Sequence, residues 1–535
     1  MSEPKQDNQS LIKGAMLLTL AALMAKILSA GYRIPFQNMA GDMGFYVYQQ
    51  VYPFYGVMTT LALYGFPVVI SRQLAQARAK GLEKEARLSF ALAIAGLAVL
   101  SLLSAFLFFF FAPQIAFVMG DEQLTGPLRL VGTGFLFLPI LSALRGFGQG
   151  HEQMGPTALS HVGEQLVRVT CILLFAYLLL EAGAGAYGAG QGAVYGSLAG
   201  SAAACTLLLV SARRVRWREW VRISGLSLVE IARSSGQVLM QSLFICLNAL
   251  ILLLFQLVDV FTVIRLLGAH GMSETSAYLA KGIYDRSQPL LQLGTILTTT
   301  VALALVPLLA KAVGSGQYKE ARRYRDVALR LALLIGGSAT IGLFVIMEPV
   351  NAMLFTDSSG SNVLRVMATA IVIGSLYMSA AAILQGYGYT HIPAISIAYG
   401  LFVKLVANFI FIPLYGTMGA AIANVLAFST MAIIVLAVIR RVDQKIMVSR
   451  RAYAAIGITL VFLAAGAYGW KMAAERILIS TNPSRLTDTL IALSTSLVGG
   501  LIVLACLAFL PILSEQEWKE VPKLDKLRRL IAPRK

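Results

Sequence analysis

The sequence predicts an all-α polytopic membrane protein, and three observations carry that expectation. Apolar residues make up 57% of the 535 and charged residues only 13%, about half the charged share of a soluble domain. The mean hydropathy is +0.73. Lys and Arg outnumber Asp and Glu by 44 to 26, and the excess collects in alternate connections between long apolar runs. Together these exclude a cytosolic enzyme, a disordered chain and a soluble nucleic-acid binder coated in basic residues. The surplus reads first as loop charge facing anionic lipid, which the positive-inside bias and the leaflet potential both favour.

A hydrocarbon core about 30 Å thick takes about 20 residues of helix at 1.5 Å each. Divided by Gly, Pro and charge clusters, the chain yields fourteen such runs: 12–32, 45–70, 88–111, 128–145, 157–180, 189–211, 237–262, 279–309, 327–347, 363–384, 393–413, 417–438, 452–472 and 488–512. The first follows Lys5 and Lys13, as a signal peptide would, but no small-residue cleavage site ends it, so it is read as the first span. One set of connections, with both termini, holds 31 Lys and Arg, whereas the other holds Arg33, Arg476 and Arg485. Both termini are therefore expected in the cytoplasm, with the protein in the cell (cytoplasmic) membrane. The richest basic stretches are Arg213, Arg214, Arg216, Arg218 and Arg222, and then Lys519 to Lys535. They read as solvated, lipid-facing charge, with no nucleic-acid partner. Cys171, Cys205, Cys246 and Cys506 lie singly in apolar runs and read as small core residues.

An internal repeat organises these spans. Gly81-Leu82-Glu83-Lys84-Glu85-Ala86-Arg87 recurs as Gly316-Gln317-Tyr318-Lys319-Glu320-Ala321-Arg322. Leu144-Arg145-Gly146-Phe147-Gly148 with His151 recurs as Leu384-Gln385-Gly386-Tyr387-Gly388 with His391. Tyr187-Gly188 and Gly192-Ala193 recur as Tyr415-Gly416 and Gly419-Ala420. The offsets of 235, 240 and about 228 agree within loop-sized insertions. Each half then holds six helices in one order and one orientation, related by an axis along the membrane normal, with the substrate site expected in a cavity between halves. The predicted organisation is a six-helix bundle over 1–211, a basic cytoplasmic linker over 212–236, a second bundle over 237–440, two extra spans within 441–512 and a basic cytoplasmic tail over 513–535.

No enzyme constellation is present: His151, His161, His270 and His391 lack metal-ligand spacing, and no Walker loop or nucleophile elbow occurs. No cofactor or metal is implied. The signal is charge inside the helices, where an ionised group costs at least about 2.5 kcal/mol at mid-membrane and should face a partner or a wet cavity. Arg129, Arg265, Arg330, Arg365 and Lys471 lie near helix ends, where snorkelling accounts for them. Arg168 has Glu164 one turn earlier, which predicts an internal structural pair.

Lys26 and Arg33 have no acid at helical spacing within the first run, and seven residues apart they share a face. Lys26 stands about 21 Å along that helix from its cytoplasmic end. The eighth run opens with Lys281-Gly282-Ile283-Tyr284-Asp285-Arg286-Ser287-Gln288-Pro289, unusually polar for a span. Arg286 is its candidate for the cavity, with Lys281 beside it. Asp259 and Asp285 are candidates either for charge balance or for a coupling H⁺ or Na⁺. Lys404, with Asn408 one turn on, is a further candidate cavity cation. The repeat puts most of these cations on equivalent helices, and a basic cavity suits an anion such as a phosphate or diphosphate.

The fourteen spans, the six-plus-six duplication, Gly65-Phe66-Pro67 leading into Ile70-Ser71-Arg72, and the Tyr284–Pro289 run resemble the polysaccharide transporter branch of the multidrug, oligosaccharidyl-lipid and polysaccharide exporter superfamily. The nearest likeness is to its sporulation stage V protein B-like group, whose relatives include lipid II flippases. The resemblance implies a flippase carrying an undecaprenyl-diphosphate-linked sugar to the outer leaflet by alternating access, with membrane lipids around it. It also implies a diphosphate held by basic residues of the first and eighth helices, here Lys26, Arg33 and Arg286, and a groove for the polyprenyl tail on the last two spans. This chain departs in having Lys26 where lipid II flippases commonly have arginine, and in having no acid after Arg33. One rival is a cation-coupled multidrug exporter on the same fold, which would want acidic and aromatic cavity residues. Another, a membrane-bound glycosyl- or phosphotransferase, would want a carboxylate cluster for metal, which the sequence lacks.

Overall fold

A computed structural model describes residues 4–213, 215, 220, 228–442, 450–478, 484–514 and 517–518. Arg214, Arg216, Arg218 and Arg222 of the basic linker, and the tail from Lys519 to Lys535, lie outside the described residues. Among the described residues the chain is helical, with no strand.

Among the described residues, thirteen continuous apolar helical segments are long and apolar enough to cross a bilayer, against the fourteen runs expected. The first, Leu20–Ala79, is 60 residues long, about 90 Å of helix for a core of about 30 Å. It takes in the first predicted run from Leu20 onward and the whole of the second, and its path breaks between them at Gly41, where φ is +66°.

The second run is interrupted near its end by a π-turn over Leu61–Gly65, just before Pro67. Phe66 N–H bonds to Leu61 O, so Ala62 O is left to another donor and accepts from Arg145 Nη1 at 3.3 Å. A proline without an N–H and a neighbouring arginine thus explain one irregular turn.

The repeat is visible as matched backbone detail within each half. Gly81 and Gly316 both take left-handed φ values, +71° and +70°. Each is followed by a helix of 28 residues, Glu83–Phe110 and Tyr318–Val345. Each of these meets a short helix that the sequence reading had left unassigned, Ala112–Met119 and Met347–Phe355, closed by left-handed Gly120 and Thr356.

Small residues set the tightest helix contacts. Gly192, Gly196 and Gly200 form one stripe on the Gly185–Ser211 helix, and a Cβ at Gly196 would lie 2.3 Å from Ile172 N of the Met154–Glu181 helix. Gly419, the repeat counterpart of Gly192, packs the Thr417–Val442 helix against the His391–Tyr415 helix, where an added Cβ would lie 2.1 Å from Phe411 O. Without water to expel, close approach of this kind holds membrane helices together.

Compactness divides the chain elsewhere than the repeat does. One unit is Met1–Arg265 with Glu274–Gly282, and the other is Leu266–Ser273 with Ile283–Lys535. Most of the Leu228–Ala269 helix joins the first unit, because Leu253 fills the space at Gly56, Cys246 that at Gly65, and Phe261 meets Phe54 edge-on. Tyr278 also packs in the first unit, stacked on Tyr46 at 4.9 Å, with its hydroxyl donating to Gly120 O at 3.1 Å.

Candidate functional site

Within the first unit, Arg145 has a carboxylate partner and Lys26, Arg33 and Arg168 have none among the described residues. Arg145, which the sequence reading placed at a helix end, is 1% exposed and pairs with Glu164 Oε2 at 2.7 Å, with Nε donating to Ser160 Oγ. The expected Glu164–Arg168 pair is therefore not formed: Glu164 turns across to the Leu138–Gly150 helix instead of along its own. Arg168 is surrounded by phenols, with its Cζ 5.2 to 5.8 Å from the ring centres of Tyr55, Tyr52 and Tyr32. Arg33 lies 4.6 Å over the face of Tyr52. Lys26 is half-buried on the Pro4–Gly31 helix. Among the described residues, none of Lys26, Arg33 and Arg168 forms an ion pair. Asp259 and Lys281 are also buried in this unit.

Within the second unit, Arg286 is fully buried and forked onto a carboxylate absent from the sequence reading. Its Nη1 donates to Asp357 Oδ1 at 3.0 Å and its Nη2 to Asp357 Oδ2 at 2.8 Å, and Nη1 also reaches Asn351 Oδ1. The guanidinium's hydrogen bonds pull the Asp357 carboxyl down to a pKa of about 2. Lys404 is fully buried and donates to Asn424 Oδ1 at 3.0 Å, while Asn424 Nδ2 donates to Tyr284 OH at 3.1 Å. Asp285 is buried here as well.

The five cations read as snorkelling have protein partners. Arg330 pairs with Glu517 and with Ile512 O, and Arg365 pairs with Glu348. Lys471 lies 3.4 Å from Glu475 and 3.8 Å from Glu348. Arg129 and Arg265 donate to the carbonyls of Phe109 and of Phe117 and Val118. Apart from Glu475, one turn on from Lys471 in its own helix, these partners come from other segments, where helical spacing carries no sign of them. Among the described residues, no group of His, Cys, Asp and Glu could hold a metal ion.

The sequence model of the polysaccharide biosynthesis protein family matches residues 11–313, more than half of the chain. The chain belongs to that family. A MatE model also matches residues 245–410. Among relatives, the uncharacterized membrane protein YabM of Bacillus subtilis is 36% identical over 98% of this chain and 97% of its own length. The lipid II flippase MurJ of Bacillus subtilis is 25% identical over 93% of this chain and 95% of its own. A solved structure of the lipid II flippase MurJ in an inward closed conformation superposes with a TM-score of 0.66, covering 92% of this chain and 98% of that one at 13% identity. The chain is thus a multi-pass membrane protein with the fold of this exporter superfamily, in the polysaccharide branch that its motifs resemble.

Proposed function

We propose that this family member is a flippase that moves an undecaprenyl-diphosphate-linked oligosaccharide or cell-wall precursor across the cytoplasmic membrane by alternating access. The observation that carries the reading is a surplus of positive charge in the first unit: Lys26 and Arg33 stand in a membrane-crossing segment with no carboxylate partner among the described residues. Such charge is stable in a membrane when an anion or water faces it. A diphosphate supplies the anion and keeps its own charges out of hydrocarbon as it crosses. Lys26 and Arg33 are its first ligands, and Lys281 and Lys404 are further candidate cations. Arg286, forked onto Asp357, contributes by holding its helix in place and reaches substrate only if that pair opens. Asp259 and Asp285 are candidates either for charge balance or for a coupling H⁺ or Na⁺ in this reading. Both termini are cytoplasmic in this reading.

The MatE match over 245–410 favours a second reading, a cation-coupled multidrug exporter. Against it, Glu164 is paired with Arg145 and Asp357 with Arg286, so neither carboxylate is open to an organic cation. Purified protein in vesicles containing candidate lipid-linked sugars tests the choice by outer-leaflet exposure of the sugar. Lys26→Ala should remove a charge-assisted contact of roughly 1.5–3 kcal/mol, about tenfold to more than a hundredfold in binding. Lys26→Arg should retain activity. Full flipping by correctly inserted Lys26→Ala and Arg33→Ala together would sink the assignment of these ligands.

A further inference from the structure

The first unit treats its buried arginines in two ways. Arg145 has a carboxylate, a hydroxyl and a carbonyl around it. Arg33 and Arg168 are each 2% exposed, and neither has a carboxylate among the described residues. Glu164, the acid one turn from Arg168, is committed to Arg145 at 2.7 Å. Both Arg33 and Arg168 also keep a buried Nε with no hydrogen-bond partner. A structural arginine in a membrane is expected to look like Arg145, with its charge answered and its donors used.

The two guanidiniums without a carboxylate are brought to one place, where Arg168 Nη2 donates a hydrogen bond to Tyr32 OH at 3.5 Å. Arg33 Cζ lies 4.6 Å and Arg168 Cζ 5.6 Å from the centre of the same ring, Tyr52. Tyr48, Tyr52 and Tyr55 follow one another at i, i+4 and i+7 on the Arg33–Thr60 helix, so three phenols share a face. Arg168 reaches that face from the Met154–Glu181 helix. The wall is fixed by its own hydrogen bonds: Tyr32 and Tyr48 hydroxyls are 2.7 Å apart, and Tyr55 OH donates to Ser197 O at 2.7 Å. Ring faces hold a cation in position but leave its formal charge in place.

We propose that Arg33 and Arg168 are two arms of one phosphate-binding site walled by Tyr32, Tyr52 and Tyr55, so that Arg168 contacts the substrate's phosphate together with Arg33. The inference rests on the reading of Arg33 as a diphosphate ligand and adds to it a second guanidinium and a tyrosine wall. Each fork pairs with two oxygens of a phosphoryl group, so a diphosphate engages both arms where a monophosphate engages one well.

The test uses the full chain purified in detergent and titrated with inorganic pyrophosphate, orthophosphate and undecaprenyl diphosphate, followed by tyrosine fluorescence. Arg168→Met should weaken pyrophosphate binding about tenfold or more, and Arg168→Lys, which keeps the charge but not the fork, by a smaller factor of about three to ten. Pyrophosphate should be displaced by undecaprenyl diphosphate if the anion belongs to a lipid, and by orthophosphate alone if it is a free phosphate; either supports the site. Unchanged affinity in monodisperse Arg168→Met and Arg168→Lys overturns it, as does a wild-type protein that binds none of the three. If Arg168→Met does not purify as a single species, Arg168→Lys decides alone. Arg168-dependent pyrophosphate binding without flipping of any lipid-linked sugar would remove the flippase reading and leave the site. Flipping that is indifferent to Arg168→Met would do the reverse.

Discussion

Arg286 and Asp357 form a two-pronged ion pair, 2.8 and 3.0 Å, between a buried guanidinium and a loop carboxylate. The pair has a counterpart in the other half. Asp357 follows left-handed Thr356 as Asp121 follows left-handed Gly120, and each caps its own loop by accepting an N–H two residues on, from Ser359 and Gln123. Asp121 then accepts from the hydroxyls of Tyr46 at 3.0 Å and Tyr187 at 2.7 Å. Tyr46 and Arg286 are separated by the same offset as Gly146 and Gly386. In both halves, therefore, a loop aspartate tethers the second helix of the repeat, once through a phenol and once through a guanidinium.

Asp357→Asn should destabilise the protein by about 1.5–3 kcal/mol, the range for a charge-assisted hydrogen bond, because it leaves the Arg286 charge buried. Asp357 is 44% exposed at its side chain, so solvent screening should keep the loss toward the lower end. Combining it with Arg286→Met should cost less than the two single changes summed, as measured by thermal unfolding in detergent. The pH dependence follows from the depressed carboxyl: its contribution is complete above the ordinary carboxylate value of about 3.9 and fades as pH falls toward about 2. A double variant whose loss equals the sum of the two singles would show that the pair is not the source.

Gly196→Ala should be strongly destabilising for a different reason. Its new Cβ would lie 2.3 Å from the backbone nitrogen of Ile172, and backbone cannot rotate away as a side chain can. Gly457→Ala, on the Arg450–Leu478 helix, has nothing within 4 Å and removes a helix-weakening glycine. It should be neutral or slightly stabilising, by up to about 1 kcal/mol. Thermal midpoints for the two variants, compared side by side, separate helix packing from helix propensity.

The carboxyl-terminal segment should act as a stabilising strap on the second unit. Glu517 pairs with Arg330 and accepts from Ser514 N–H at 2.7 Å, while Trp518 enters an apolar cluster with Val327, Leu331 and Ile456. Burial alone would raise the Glu517 carboxyl, but the hydrogen bonds from Arg330 and Ser514 outweigh it and hold it below the ordinary range. Its contribution should thus be full above about pH 4.3 and weaken as pH falls through its lower folded value. Trp518→Ala should lower the unfolding midpoint by the equivalent of about 2–4 kcal/mol.

What the sequence made legible was periodic or repeated. Apolar runs of bilayer length marked the spans, and Gly81 with Gly316 marked a duplication that their matching backbone angles bear out. Lys26, Arg33 and Arg286 stood out because a charge in an apolar run is conspicuous without any partner. Their partners did not, since Asp357 answers Arg286 from a distant loop and Glu164 chooses Arg145 over the residue one turn away. Helical spacing reports only neighbours on the same helix. The short helices Ala112–Met119 and Met347–Phe355 were hidden for another reason: each continues an apolar run, and only a left-handed residue after it marks the end.

The two orientations of the chain can be told apart at exposed loop positions. The asymmetry of 31 basic residues against three predicts that the loops around residues 121 and 359 lie outside, and those at the Lys-Glu-Ala-Arg repeats inside. Asp121 itself is a poor probe, because it is buried and holds two tyrosines, but its neighbour Glu122 is exposed, as is Ser359. Lys84 and Lys319 are exposed at the opposite ends of their spans. Single cysteines at Glu122 and Ser359, in a background where Cys171, Cys205, Cys246 and Cys506 are replaced, should react with a membrane-impermeant maleimide in intact cells. Cysteines at Lys84 and Lys319 should react only after the cells are opened. Protection at Glu122 and Ser359 with labelling at Lys84 and Lys319 would invert the topology.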